Sequence, residues 1–231
     1  MLLEILYQDE HLIAINKPHG LLVHRSSIAR DVQEFALQIL KNQIGKWVNP
    51  VHRIDRKTAG VLLFASDKET EKNMQMAFAE NRVQKKYYAI LRGHTPDYQE
   101  IDYPLKKENG TSQEAFTAYK TLQQAELDIP LGAHASSRYS LVEASPTTGR
   151  MHQLRKHFSH IFHPIIGDRT HGCNKQNRMF KEKWQMETML LHAAELSFLH
   201  PVHGNPVVIK APLQSEFSEA MKLMGWNDIQ P

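Results

Sequence analysis

The alternation of apolar and polar positions divides most of the chain into short strands and a few amphipathic helices. Leu3 to Tyr7 and Leu12 to Asn16 read as strands joined by the polar turn Gln8-Asp9-Glu10. Asp31 to Gln43 puts Val32, Phe35, Ala36, Ile39 and Leu40 on one helical face, with Asp31 and Glu34 spaced as a capping box and Gly45 as the stop. Val61-Leu62-Leu63-Phe64-Ala65 follows a glycine and carries no charge, the pattern of a strand buried on both faces. Ser66 with Glu69 opens a second predicted helix to about Asn81, with Met74, Ala77 and Phe78 turned inward. In the strand from Val83 to Arg92, adjacent Tyr87 and Tyr88 face opposite ways, and the pattern does not choose which enters the core.

Farther along, a short strand is expected near Ile101, and Glu114 to Thr121 and Arg138 to Ala144 alternate as a pair of strands. Arg150 to about Ile161 reads as a helix with Leu154, Phe158 and Ile161 on its core side and His152 and Arg155 together on a neighbouring side. Leu190 to His200 and Pro206 to Ile209 are strands, and a last helix follows Pro212 through Met224. Strands close in sequence, joined by short turns and mixed with helices, predict an α+β fold with a largely antiparallel sheet.

Composition narrows the class without deciding it. A chain of 231 residues, 41% hydrophobic and 23% charged, suits a soluble globular protein able to bury a core without covalent staples. The single cysteine, Cys173, cannot form an internal disulfide, which fits a reducing compartment. No apolar run approaches the roughly 20 residues a membrane span needs, and Met1-Leu2-Leu3-Glu4 does not begin a secretory signal. The cytoplasm is the expected location. A formal net charge of +3 permits an RNA partner without requiring one.

Candidate chemistry concentrates just before the apolar run. His52-Arg53-Ile54-Asp55-Arg56-Lys57 is a polar loop with four basic residues and one carboxylate, Asp55. A lone acid among bases is expected to be ionised, which suits a nucleophile or base, or a salt-bridged turn. Lys17-Pro18-His19-Gly20 is a shaped loop, read either as a connecting turn or as the wall of a cleft with Lys17 and His24 near phosphate. Arg155, beside an apolar stripe, can reach into a cleft or lie with its stem on the core. The stretch His160 to Arg178 mixes His, Arg and Asn with Asp168 and Cys173, yet lacks any C-x-x-C or H-E-x-x-H spacing, so no metal is expected there. No phosphate-cradling glycine motif is present either.

Four blocks together resemble the pseudouridine synthases of the branch with the His-Arg-Leu-Asp type motif. They are Asn16 to His24, His52 to Gly60, Lys85-Lys86-Tyr87-Tyr88-Ala89, and Gly149 to His157, in the family's order. Ile54 stands for the usual Leu and Ala59 for the usual Ser. The run His163 to Asp168 and the stretch His171 to Arg178 look most like the branch's transfer-RNA-modifying type, which acts on the uridine at position 65. The resemblance implies a pseudouridine synthase fold, a mixed sheet with a central catalytic cleft flanked by helices and loops. It implies one catalytic domain over residues 1–231 with no separate N-terminal RNA-binding domain, acting as a monomer on RNA without a cofactor or metal. It assigns Asp55 as nucleophile, Tyr87 as the stacking, proton-moving aromatic and Arg155 as charge partner, expected within hydrogen-bonding reach of Asp55. Arg53, His52, Lys17, His24, Arg150 and His152 are the expected substrate-binding residues. The alternatives are a synthase for another transfer or ribosomal RNA uridine, or a non-catalytic RNA-binding relative.

Overall fold

The structure, a computed structural model, describes residues 1–24 and 34–229. In chain order the elements are β1 (Glu4–Gln8), β2 (Leu12–Lys17), α1 (Ala36–Ile44), β3 (Asn49–Pro50), β4 (Ala59–Ala65), α2 (Lys68–Ala79), β5 (Gln84–Arg92) and β6 (Tyr98–Asp102). There follow β7 (Leu105–Lys106), β8 (Ser112–Gln113), β9 (Phe116–Leu127), β10 (Ser137–Pro146), α3 (Gln153–His160), α4 (Asn174–Trp184), β11 (Leu191–Leu199), β12 (Pro206–Lys210) and α5 (Ser215–Leu223). The expected α+β class is what the chain adopts. Packing groups the described residues into two compact units, one within Met1–Lys85 with Ala193–Leu213, the other within Lys86–His192 with residues 214–229.

In the first unit the strand order is β1-β2-β4-β11, with β3 also on β4 and β12 on β11. The β1–β2, β2–β4, β3–β4 and β11–β12 pairs are antiparallel. Every residue of β4 is buried, as its uncharged run predicts. Leu12 and Ala14 of β2, Val61 and Leu63 of β4, Met74 and Ala77 of α2, and Leu196 and Phe198 of β11 make one core. Alternate residues of three strands thus meet one face of α2. The α2 cap is Asp67, which accepts from the Thr70 N–H at 2.8 Å, one residue beyond the expected Ser66. Helix α1 starts at Ala36, later than expected, with no side-chain cap at Phe35. Instead the Leu22 and Val23 carbonyls accept the N–H groups of Ala36 and Leu37 at 2.8 and 3.0 Å, satisfying the helix start with backbone. Of its expected capping box, Asp31 lies outside the described residues and Glu34 precedes the helix.

In the second unit the order is β5-β10-β9-β6, with β7–β8 as a separate hairpin. The long β9–β10 pair runs from Ser137 opposite Leu127 to Pro146 opposite Thr117. Ala89, Leu91, Tyr119, Val142 and Ala144 face Leu154 and Phe158 of α3, and the Tyr119 and Phe158 rings meet edge-on at 5.5 Å. Helix α4 is not evident from the sequence pattern, because Asn174–Trp184 is largely polar. It is fixed by Gln176, Met179 and Phe180, buried one turn apart, with Gln176 accepting from the Tyr139 hydroxyl at 2.7 Å.

Candidate active site

The ends of β2 and β4 hold two loops side by side. Lys17, last in β2, pairs with Gly60 of β4, so residues 18–24 leave where residues 52–58 arrive. Gly60 has φ +107°, and a Cβ there would lie 2.1 Å from the Ala193 carbonyl oxygen, so only glycine lets these backbones approach. The loops are stitched reciprocally. The Gly20 N–H donates to the Arg56 carbonyl at 2.9 Å, and Arg56 Nε donates to the Gly20 carbonyl at 2.8 Å. Beneath them Lys17 is 0% exposed, with Nζ donating to the carbonyls of Pro18 (2.9 Å), Leu21 (2.9 Å) and Arg56 (3.1 Å). Three carbonyls use the three hydrogens of an ammonium. Burial drives the Lys17 pKa down to about 7, with the Asp55 charge opposing the shift and Arg56 adding to it.

Asp55 sits in this frame. Its carbonyl accepts the Thr58 N–H at 3.0 Å, a tight turn, and Ile54 and Thr58 on either side are buried. The Asp55 side chain is half-buried and lies in the field of Lys17. Arg53 and His24 are exposed. His52 turns inward: Nε2 accepts the Leu63 N–H at 3.0 Å, and the ring stacks on Phe78 with centroids 4.6 Å apart. Its hydrogen is therefore on Nδ1. Desolvation, assisted by the Lys85 charge, brings its pKa down to about 3. His52 and Lys17 are thus posts of the loop rather than outward cations.

The second unit holds the remaining candidates. Tyr88 is buried, whereas Tyr87 is half-buried on the opposite face of β5, packed against the cluster of Ala89, Leu91, Leu154 and Phe158. Tyr87 and α3 therefore share one side of the sheet. Helix α3 is anchored by Gln153, a residue the sequence reading passed over. Its amide oxygen accepts from Thr148 Oγ1 (2.7 Å) and the Arg150 N–H (3.0 Å), and its nitrogen donates to the Phe116 carbonyl (2.9 Å) and Thr117 Oγ1 (3.1 Å). One turn on, buried His157 bonds the Tyr103 carbonyl through Nε2 and Thr117 Oγ1 through Nδ1, both at 3.0 Å. A carbonyl cannot donate, so Nε2 carries the hydrogen. Burial holds the His157 pKa below the usual value. His152 precedes the helix with φ 57°, and its Nδ1 lies 3.0 Å from Nε2 of His171. Exposed Arg150 donates through Nε to the Glu114 carbonyl at 3.0 Å.

Arg155 is 6% exposed and grips Asp168, with Nε to Oδ2 at 2.7 Å and Nη2 to Oδ1 at 2.8 Å. Asp168, 1% exposed, also accepts the N–H groups of Thr170 (2.9 Å) and His171 (3.1 Å). Burial raises its pKa, but the Arg155 fork and the two N–H groups outweigh this and hold the carboxyl below its ordinary range. The sequence candidates thus fall into two sets, each within one unit: Lys17, His24, His52, Arg53 and Asp55, and Tyr87, Arg150, His152 and Arg155. Among the described residues no group of three His, Cys, Asp or Glu is placed to hold a metal ion. No helix among them is long and apolar enough to cross a membrane.

A family model described as RNA pseudouridylate synthase matches residues 11–160, a span that includes both loops, Tyr87 and Arg155. The chain belongs to the RNA pseudouridylate synthase family. This synthase is 43% identical over 238 residues to the tRNA pseudouridine synthase C of Vibrio cholerae, covering 98% of each chain. It is 44% identical over 237 residues to the protein of the same name from Haemophilus ducreyi, again covering 98% of each. Among solved structures, human RNA pseudouridylate synthase domain containing 4 superposes with a TM-score of 0.75 at 26% identity, covering 99% of the synthase and 95% of that chain.

Proposed function

We propose that this synthase isomerises a uridine of transfer RNA to pseudouridine, at position 65 in the stem below the T loop. The observation that carries the target is the end-to-end similarity to relatives named for transfer RNA. In the reaction the bond from uracil N1 to the ribose breaks, the base turns, and C5 bonds to the ribose in its place. C5 gives up a proton and N1 gains one, so no electrons or phosphoryl groups enter. The target base must leave its stack to react.

Asp55 is the nucleophile, presented by the stitched loops. Tyr87 stacks on the base and moves a proton, and Arg155 balances the charge of the aspartate. Outward-facing Arg53 takes the vacated place in the stack, since guanidinium planes stack on bases. His24, Arg150 and His152 meet the RNA backbone. Lys17 and His52 act from beneath, by holding the loop. The synthase works as a monomer in the cytoplasm, where its substrate matures. Mapping pseudouridine in RNA from cells with and without the gene tests the assignment. Loss confined to position 65 of transfer RNA is expected, and loss at a ribosomal site instead would reassign the target.

A further inference from the structure

The segment 167–172 is built around one buried carboxylate that the reaction scheme leaves unused. Gly167 has φ +79°, and a Cβ there would meet the Thr188 carbonyl at 2.0 Å. Gly172 has the same constraint, since a Cβ would lie 2.0 Å from the Asp168 carbonyl oxygen. Asn177 of α4 clamps the segment from outside, accepting the Gly167 N–H at 2.9 Å and donating to the Asp168 carbonyl at 2.7 Å. Two close backbone approaches, one side-chain clamp and two N–H bonds thus fix a carboxylate whose other contacts are Nε and Nη2 of Arg155. A fork of two parallel bonds sets the plane of a guanidinium as well as its place. The third nitrogen, Nη1, is not part of this fork.

We propose that Asp168 is a positioning residue for pseudouridine formation: it orients Arg155, so that the guanidinium is aimed before RNA arrives. This rests on the reading of Arg155 as the charge partner of the nucleophile. A carboxylate held by its own loop gives the arginine a fixed direction that packing on a helix surface does not, because an arginine stem has several rotatable bonds. Asp168 also bonds the His171 N–H, and His171 bonds His152, so the same carboxylate steadies the histidine pair at the start of α3.

The test is single-turnover kinetics on folded transfer RNA, in which the amplitude reports the folded, competent fraction and the rate constant reports the step. Asp168→Asn keeps the shape but loses the charge and one fork acceptor. Its rate constant is expected to fall at least tenfold, with RNA affinity within about twofold of the parent. Arg155→Lys, which cannot form the fork, should be slow by itself. Adding Asp168→Asn to it should cost less than threefold, since a residue acting only through another loses its effect when that other is changed. Asn177→Ala leaves both charges in place and covers the case in which Asp168→Asn does not fold. It should slow the rate several-fold with full amplitude. A parental rate in Asp168→Asn, or in Asn177→Ala if the former is unfolded, alongside a slow Arg155→Lys, overturns the proposal and leaves the role of Arg155 standing. Fully multiplicative losses in the double variant also overturn it. A parental rate in Arg155→Lys removes the role of Arg155, and this proposal with it.

Discussion

Replacing Lys17 by methionine removes three hydrogen bonds that tie Pro18, Leu21 and Arg56 together. We expect the Asp55 loop to lose its shape, with turnover down at least tenfold and exposed Arg53 still able to meet RNA. The pH dependence separates geometry from stability. With its folded pKa lowered to about 7 against an unfolded value of about 10.4, Lys17 is neutral in the folded chain and charged in the unfolded chain between these limits. The unfolded state binds more protons there, so this residue's contribution to stability rises with pH across that window. Yet a neutral amine has only two hydrogens for three carbonyls. Activity should therefore decline above about pH 7 while the urea midpoint, relative to Lys17→Met, climbs; both falling together would refute the account. Asp55→Asn is the companion variant. It should abolish turnover and retain RNA binding, because phosphate contacts supply most of the affinity, and turnover by purified Asp55→Asn would strip the aspartate of its role. Both buried charges carry a lesson about legibility. Asp168 is the only carboxylate between His160 and Arg178, the same lone acid among bases that marks Asp55, but one-dimensional spacing could not pair it with Arg155. Lys17 looked like a phosphate ligand because a lysine in a loop usually is exposed, and its carbonyl cage draws on Arg56, 39 residues away.

At the level of elements, the apolar strands and most helices were readable because each presents one stripe to one core, as β4 and α2 do. What escaped were elements fixed by side chains elsewhere. The start of α1 depends on the Leu22 and Val23 carbonyls, and α4 depends on Tyr139 and on Gly167, neither of which its own polar sequence announces. Helix α3 is the clearest case, since its pattern correctly predicts the apolar side but says nothing of Gln153 and His157, which dock it on β9. Gln153→Ala should cost about 2–4 kcal/mol, from four lost bonds at roughly 1 kcal/mol net each, offset by relaxation. Gln153→Glu should be at least as damaging, because a carboxylate cannot donate to the Phe116 carbonyl. Urea unfolding with an unchanged m-value checks this, and a loss under 0.5 kcal/mol, on the order of surface substitutions, would show that α3 does not depend on the amide.

For the whole molecule, acid should destabilise the fold in two stages. His52, at about 3, and His157, also lowered, refuse a proton that the unfolded chain accepts near pH 6.5. Stability should fall from about pH 6.5 downward. Asp168 and Asp9, both held below the ordinary carboxylate range, contribute stability above about pH 4 that is lost as pH falls further. Urea midpoints against pH should show the upper stage flattened in His52→Gln, and an unaltered slope would mean that His52 is not resisting protonation. On the proposed scheme the isomerisation draws on side chains, so purified protein is expected to modify folded transfer RNA in the presence of a chelator; a strict need for added zinc on RNA shown to be folded would overthrow that. The first unit is assembled from two separated stretches of chain, Met1–Lys85 and Ala193–Leu213. Its two parts leave the ribosome at different times. Gly60 and Ala193 touch backbone to backbone, yet about 130 residues must be translated between them, on the order of ten seconds at about 5–20 residues per second. Until β11 emerges, the edge of β4 that it will cover waits unpaired, and the loop bearing Asp55 hangs from an unfinished sheet. The sheet that carries this loop is therefore completed only late in synthesis, and its open strand edge is most exposed to mispairing while the second unit is being translated.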